Sequence, residues 1–134
     1  MNILIVDDTR MMRMVIRSIL VKNCGISESR IFEAEDGASA IRTFKRSKST
    51  IILLDINMPE MSGIEVVKSM MEINPNCRII MCTSSSDRTD VLKCIKAGAR
   101  DYIVKPPTPE RMLSALYRVA PENYGSQHKG DDDS

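Results

Sequence analysis

Short apolar runs alternate with longer stretches of helical periodicity along most of the chain. Each short run is bounded by polar or turn residues, which is typical of a buried strand, and these runs are residues 2–6, 30–34, 51–54, 78–82 and 102–104. Elsewhere apolar residues recur every three or four positions, as on one face of a helix, and these stretches are residues 10–22, 38–44, 62–74, 87–97 and 109–119. The alternation predicts five consecutive βα units.

Local signals mark where the helices begin and end. Thr9 is a candidate N-cap of the first helix, although Asp8 competes for that position. Gly25 follows this helix and can supply a left-handed cap. Pro75 ends the third helix, because the residue before a proline is pushed out of the helical region. Pro109 suits the first turn of the fifth helix.

The first helix is rich in methionine. Helical spacing predicts an apolar stripe that includes Met11, Met14, Val15 and Ile19. Methionine can form an adaptable binding surface, but it also fills irregular gaps in hydrophobic cores. We therefore expect Met11 and Met14 to lie on the stripe and to pack in the core.

Strands that alternate with helices form a parallel sheet with right-handed crossovers and helices on both faces. We predict an α/β, doubly wound, flavodoxin-like (βα)5 fold, in which a five-stranded parallel sheet has the strand order 2-1-3-4-5. The third strand lies in the middle of such a sheet. Ligands of open α/β folds bind at the edge formed by the carboxyl ends of the strands.

The 134 residues suffice for one domain with a real core and are too few for two. We expect this domain to span residues 1–120. Residues 121–134 are polar, rich in Gly and Asp, and without periodicity, so we expect them to form a flexible polar tail. The net charge of +1 gives no overall attraction to nucleic acid or to an anionic membrane surface.

Cysteine usage and the N-terminus bear on localisation. The four cysteines have no metal-like spacing, so we interpret them as mostly buried thiols in a reducing cytosol. No apolar stretch approaches the length needed to span a membrane. The chain enters a strand pattern at Asn2, which leaves no room for a signal peptide, and we expect a cytoplasmic protein.

Four of the apolar runs end in residues that carry chemistry. Asp7 and Asp8 follow the first run, Asp55 the third, Thr83 the fourth and Lys105 the fifth. If these runs are parallel strands, the three carboxylates, the hydroxyl and the ammonium group all lie at one edge of the sheet. The sequence therefore predicts a single polar pocket there.

A divalent cation would resolve the repulsion within this pocket. Three adjacent carboxylates would hold raised pKa values unless a cation neutralised them, and Mg²⁺ commonly uses one or two carboxylates plus a phosphoryl oxygen. Taken singly, each aspartate has a simpler explanation: Asp7 and Asp8 would cap the first helix, and Asp55 would be a solvated turn residue. Their joint occurrence with Thr83 and Lys105 favours a binding site.

Asp55 is suited to phosphoryl chemistry. A carboxylate can attack phosphorus and form an acyl phosphate. The reaction needs in-line positioning and neutralisation of charge on the equatorial oxygens. Mg²⁺, the ammonium group of Lys105, the hydroxyl of Thr83 and the backbone N–H groups after Asp55 could each supply part of that neutralisation.

The set Asp7-Asp8, Asp55, Thr83 and Lys105-Pro106 resembles the receiver domain of two-component response regulators. Further matches are Arg13 in the first helix, the turn at residues 55–59 with Gly63 beyond it, and residues 98–102. The resemblance covers residues 1–119. As a nearly bare domain, the chain is most similar to the CheY-like, single-domain chemotaxis regulators.

The resemblance implies a role for each matched residue. Asp55 would accept a phosphoryl group from a histidine kinase. Asp8 would bind Mg²⁺ directly and Asp7 through water, and Asp55 and the carbonyl oxygen of Asn57 would complete the protein ligands. These assignments make the site a magnesium-dependent phosphoacceptor.

The resemblance also implies a switch. Thr83 and Lys105 would bind the phosphoryl oxygens, with a cis peptide bond between Lys105 and Pro106. When the Thr83 hydroxyl moves toward the phosphoryl group, the ring of Tyr102 would turn inward and change the surface made by the fourth helix, the fifth strand and the fifth helix. The alternative is a half-buried tyrosine with no switching role. Ser85 departs from the family pattern, in which the second position after the threonine often carries a larger or charged group, and it would leave the approach to the pocket open.

The implied function is that of a single-domain response regulator, phosphorylated by a CheA-like histidine kinase, which binds a flagellar motor switch protein in chemotaxis. The alternative is a phosphorelay intermediate that passes its phosphoryl group to a histidine phosphotransfer protein. In either case the chain would be no enzyme beyond catalysing its own phosphorylation and dephosphorylation. We expect neither DNA binding nor membrane insertion, because the segment after Val119 carries no further helical pattern or basic patch.

Two other functions compete with this interpretation. An aspartyl-phosphate phosphatase of the dehalogenase type needs a second acid two residues after the nucleophile as general acid, and Asn57 occupies that position. A flavin-binding module needs a phosphate-cradling first loop. Here the aspartates Asp7 and Asp8 would repel a phosphate that lacks a bridging metal. Both features disfavour these alternatives.

Overall fold

A computed structural model describes residues 1–84 and 88–123. It contains five βα units, as predicted. The strands are β1 Ile3–Val6, β2 Ile31–Ala34, β3 Ile51–Asp55, β4 Arg78–Thr83 and β5 Asp101–Val104. The helices are α1 Arg10–Lys22, α2 Gly37–Ser47, α3 Gly63–Ile73, α4 Arg88–Ala97 and α5 Pro109–Val119, and a short 3-10 helix at Glu28–Arg30 precedes β2.

The five strands form one parallel sheet in the order β2-β1-β3-β4-β5, which confirms the predicted order. Strand β3 lies in the middle, between β1 and β4. Its last residue, Asp55, pairs with Cys82 of β4, so the two strands end at nearly the same level. This register places the polar residues that follow the strands on a common edge.

Alternate side chains of each central strand enter two separate cores, one on each face of the sheet. Ile3 and Ile5 of β1 pack with α1 and α5, whereas Leu4 and Val6 pack with α2, α3 and α4. Both sets of side chains are fully buried. The sheet is therefore covered on both faces, and its strand ends are the accessible part.

Helix starts follow the local signals in the sequence. Thr9 caps α1, because its side chain accepts a hydrogen bond from the backbone N–H of Met12. Ser62 caps α3 and Thr108 caps α5 in the same way, with Pro109 in the first turn. Gly25 adopts a left-handed conformation with φ of 70°, as expected for the residue that turns the chain after α1.

The predicted burial of the α1 methionines is wrong. Met11 and Met14 are 77% and 59% exposed, and the inward face of α1 is formed instead by Ile16, Ile19 and Leu20. The reason is the phase of the helix: residues 16, 19 and 20 share one face, and residues 11, 14 and 15 share a neighbouring face that turns to solvent. Periodicity alone does not choose between the two faces; ranking aliphatic residues above methionine would have selected the face of Ile16, Ile19 and Leu20.

Three sequence predictions concern residues outside the described ranges. These are the first residue of the fourth helix, Asp87, the open approach at Ser85, and most of the predicted tail, residues 124–134. Within the described part of the predicted tail, Glu122 forms an ion pair with Arg78 at the start of β4. Among residues 1–84 and 88–123, no helix is both long enough and apolar enough to cross a membrane.

Candidate functional site

Asp7 is held in the site through every one of its polar atoms. It follows β1 directly, and its backbone N–H donates to the carbonyl oxygen of Ala34 at 3.2 Å, which extends the pairing with β2. Its carboxylate oxygen Oδ1 accepts from both the backbone N–H and the hydroxyl of Thr9. Asp7 is buried, whereas the next residue, Asp8, is exposed at the mouth of the site.

Lys105 joins the two buried carboxylates. Its ammonium nitrogen Nζ lies 2.8 Å from Oδ2 of Asp7 and 3.3 Å from Oδ1 of Asp55. Asp55 reaches this contact from the end of the central strand, and Lys105 from the segment after β5. Asp7 and Lys105 are 98 residues apart in the sequence and are in direct contact here. The predicted convergence of the aspartates and the lysine is thus observed.

The pKa values of Asp55 and Lys105 are both raised, but by different causes. Burial raises the pKa of Asp55, and the neighbouring charge of Asp7 adds to the rise, while the ammonium group of Lys105 opposes it. Burial alone would lower the pKa of Lys105, but its hydrogen bond to Asp7 and the charge of Asp55 outweigh burial and raise it. Lys105 therefore stays protonated, and the ionised form of Asp55 is under strain from its surroundings.

The carboxylates fit a hard divalent cation. One oxygen atom from each of Asp7, Asp8 and Asp55 lies within 4.8 Å of the others, a spacing that allows all three to reach one ion directly or through water. The donor set is all oxygen, which suits Mg²⁺ rather than a soft metal. The third side of the site is provided by Asn57, whose backbone N–H donates to Oδ1 of Asp55 at 3.3 Å.

Thr83 and Tyr102 lie on β4 and β5, on the side of the site away from β1. Thr83 is the last residue of β4, one position beyond the partner of Asp55, and its buried hydroxyl donates to the carbonyl oxygen of Ser84. Tyr102 on β5 is 40% exposed. Both residues line one cavity of about 370 Å³ between β5 and α4, which also includes Val91.

The peptide bond between Lys105 and Pro106 is cis, in agreement with the expectation from the family resemblance. The four cysteines are free, and three of them are buried. Cys82 lies behind the site, where burial raises the pKa of its thiol to about 12. These thiols are accordingly structural residues of the core.

One contributor to the site was missed at the sequence level. Glu33 projects from β2 and binds Nε of Arg13 at 3.0 Å and Nε of Arg17 at 2.7 Å. Arg13 in turn donates to the carbonyl oxygen of Asp7 at 2.7 Å. A carboxylate inside a strand, combined with two arginines four residues apart on the preceding helix, is the signal that could have revealed this contact.

Known proteins resemble the chain over most of its length. Residues 3–117 match the response regulator receiver domain family. The chain is 42% identical over 119 residues to the chemotaxis protein CheY of Thermotoga maritima, covering 89% of this chain and 97% of that protein. It is 44% identical over 118 residues to the chemotaxis protein CheY of Bacillus subtilis, with coverages of 88% and 96%.

The fold comparison agrees with the sequence comparison. The structure of Vibrio cholerae chemotaxis protein CheY4 is similar with a TM-score of 0.77 at 29% sequence identity, over 88% of this chain and 97% of that one. The residues at the carboxyl edge of the sheet, the strand order and the sequence match all agree. The chain therefore belongs to the family of response regulator receiver domains.

Proposed function

We propose that the chain is a phosphorylation-dependent switch whose phosphoacceptor is Asp55. The observation that carries this proposal is the contact of Lys105 Nζ with both Asp7 and Asp55 at the end of the central strand. This contact supports the proposal because it places a positive charge beside the carboxylate that would act as the nucleophile. The phosphoryl group would come from a histidine kinase, with the bond from phosphorus to the kinase nitrogen breaking as a bond to an Asp55 oxygen forms.

Magnesium fits the proposed reaction. Asp8 and Asp55 would hold the ion directly, Asp7 would hold it through water, and the carbonyl oxygen of Asn57 would complete the protein ligands, in keeping with the clustered carboxylates. When bound, Mg²⁺ supplies neutralisation of the charge on the phosphoryl oxygens. Burial of Asp55 excludes bulk water from one side of the nucleophile, and this strengthens each electrostatic contact within the site.

The chain's own residues supply the remaining stabilisation. Lys105 already lies at hydrogen-bonding distance from Asp7, and its ammonium group would bind a phosphoryl oxygen as a point charge. Thr83 would donate its hydroxyl to another oxygen after turning away from Ser84. The backbone N–H of Asn57 is a further donor close to Asp55.

Movement of Thr83 would be read out at Tyr102. The two residues line the same cavity, whose volume of about 370 Å³ leaves room for the tyrosine ring to turn inward from its exposed position. The switching surface would then be α4, β5 and α5. With the ring exposed, or with the ring inside the cavity, this surface would have two discrete forms, as a binding switch requires.

The proposed partners are a CheA-like kinase and the flagellar motor switch, as the chemotaxis relatives suggest. The chain would act in the cytoplasm, by binding rather than by turning over an external substrate. The alternative hypothesis, with the same phosphorylation of Asp55, is a phosphorelay intermediate. Stronger retention on an immobilised flagellar switch protein than on a histidine phosphotransfer protein, in the presence of beryllofluoride, would favour the motor.

Incubation with acetyl phosphate and Mg²⁺ tests the phosphoacceptor. We expect the intact mass to increase by one phosphoryl group in the wild-type chain and to stay unchanged in Asp55→Asn, because the amide cannot form the acyl phosphate. Asp90→Asn, in helix α4, is the matched control and should be labelled like the wild type. Equal labelling of Asp55→Asn and the wild type would refute the assignment.

A further inference from the structure

Arg13 connects Asp7, at the end of β1, to the neighbouring edge strand β2. Its Nη1 donates to the backbone carbonyl oxygen of Asp7 at 2.7 Å, and its Nε donates to Oε1 of Glu33 at 3.0 Å. The side chain is 13% exposed, so its two bonds are made largely out of water. The planar guanidinium can make both bonds only in one orientation.

Glu33 is itself fixed. Its second oxygen, Oε2, accepts from Nε of Arg17 at 2.7 Å, and Arg17 also donates to the carbonyl oxygen of Ile31 at 3.3 Å. The carboxylate therefore lies between two arginines that come from successive turns of α1. A strand residue held on both sides makes a rigid anchor for Arg13.

The bond to the Asp7 carbonyl determines where Asp8 lies. The carbonyl group of Asp7 shares one planar peptide unit with the nitrogen and Cα of Asp8. Since the N–H of Asp7 is bonded to Ala34 and its carboxylate to Thr9 and Lys105, the carbonyl is the last free direction of this residue. Arg13 holds the carbonyl group of Asp7 in one direction, and it thereby sets the position of the nitrogen and Cα of the exposed Asp8.

We propose that Arg13, anchored by Glu33, is a positioning residue that holds Asp8 ready for the divalent cation. The inference rests on the proposed function, because it assigns Asp8 to the metal. Arg13 itself touches neither the ion nor the phosphoryl group. Residues that orient metal ligands from behind commonly account for a tenfold to hundredfold effect on metal affinity.

If charge alone mattered, removal of Arg13 would change the Mg²⁺ affinity in the opposite direction, which makes the proposal testable. A positive charge near three carboxylates repels a cation, so removal of any nearby arginine should tighten Mg²⁺ binding if charge alone matters. Removal of a positioning residue should weaken it. Arg10 provides the comparison, because it lies one turn earlier in the same helix and is exposed.

The experiment is a titration of ¹⁵N-labelled protein with MgCl₂ at constant ionic strength, followed by amide chemical shifts. We expect Arg13→Gln to raise the dissociation constant of Mg²⁺ by about tenfold, and Arg10→Gln to leave it unchanged or slightly lower. The amide signals of Asp8 and Thr9 should shift in Arg13→Gln before any metal is added. Shifts far from this loop should stay small if the fold is intact.

Arg13→Lys separates geometry from charge and serves if Arg13→Gln does not fold. Lysine keeps the charge but lacks the fork that bonds Asp7 and Glu33 at once, so we again expect weaker Mg²⁺ binding. Wild-type affinity in both variants, or tighter binding in Arg13→Gln, would overturn the positioning role and leave the proposed function intact. A wild-type chain that binds no Mg²⁺ would refute the proposed function, and this inference would fall with it.

Discussion

Lys105 is the residue on which the site's charge balance depends. Sequence reasoning placed it near Asp55, because each follows a strand of one parallel sheet, and the structure bears this out. The shorter contact, to Asp7, was not predicted. It depends on the direction that the lysine side chain takes from the end of β5, which is a tertiary property that strand ends alone do not determine.

We expect Lys105→Met to destabilise the metal-free protein at neutral pH. Loss of the ammonium group leaves Asp7 and Asp55 buried side by side without a counter-charge. Because Lys105 keeps some exposure, we expect the free energy of unfolding to fall by about 2 kcal/mol, less than for a fully buried pair. Urea denaturation measures this loss.

Addition of Mg²⁺ should reduce the deficit of Lys105→Met, because the cation can replace the missing charge and binding to the folded state stabilises it. Lys105→Arg is the matched control, since it retains the positive charge and should lose less stability. Equal stability of Lys105→Met and the wild type in the absence of metal would show that the ammonium group does not balance the two carboxylates.

At the scale of elements, the sequence determined where helices start better than which way they face. Thr9 could be identified as the cap of α1 because capping depends on residues three positions apart. The orientation of the same helix could not, because Met11 and Met14 form one apolar stripe and Ile16 and Leu20 form another. Packing against the sheet selects between the two stripes, and that contact is not local in the sequence.

Gly63 shows how an element's first residue shapes the site. A Cβ atom at this position would lie 2.8 Å from Cα of Ile56 and 3.0 Å from the carbonyl oxygen of Asp55. Both contacts are with backbone atoms, which cannot move aside without displacing Asp55 and the residues that follow it. In a helix interior, propensity favours alanine over glycine by about 1 kcal/mol, so a loss of stability on substitution at Gly63, the first residue of α3, reports the clash.

We therefore expect Gly63→Ala to lower the free energy of unfolding by about 2 kcal/mol, as overpacking does, and to shift the amide signals of Asp55 and Asn57. Urea denaturation and NMR spectra measure the two effects. Gly25→Ala is the control: it costs about 1 kcal/mol through its left-handed backbone, but no atom lies within 4 Å of the added Cβ. Unshifted signals at Asp55 in Gly63→Ala would contradict the close approach.

In the whole molecule, a cluster of acidic side chains that disfavours folding lies at the edge of a sheet that two hydrophobic cores stabilise. Two hydrophobic cores lie on opposite faces of the sheet and fix all five strands. The acidic edge between them contains a buried carboxylate whose charged form is disfavoured by burial and by a like charge. The order of the strands was predictable from the alternation of elements and the family resemblance. The balance of charges at their ends was not, because it depends on distances of a few ångströms between distant residues.

The unfavourable ionisation of the buried Asp55 should make the stability of the protein depend on pH. Burial raises the pKa of Asp55 above its ordinary value of 3.8, so the folded state binds the proton more tightly than the unfolded state. The favourable contribution is then fully present below pH 3.8 and is lost as the pH rises through the folded-state pKa. At neutral pH the ionised carboxylate lowers the free energy of unfolding.

Asp55→Asn removes this titration. In the absence of Mg²⁺ we expect the variant to be more stable than the wild type by about 1 kcal/mol at pH 7, the usual size of a single-residue effect, and the gain to shrink as the pH falls toward about 4. Urea denaturation of both proteins at several pH values, with EDTA present, measures the difference. Glu72→Gln, at an exposed position of α3, should show little difference from the wild type at any pH. A gain that grows toward acid would mean that Asp55 is stabilised, and not strained, in its ionised form.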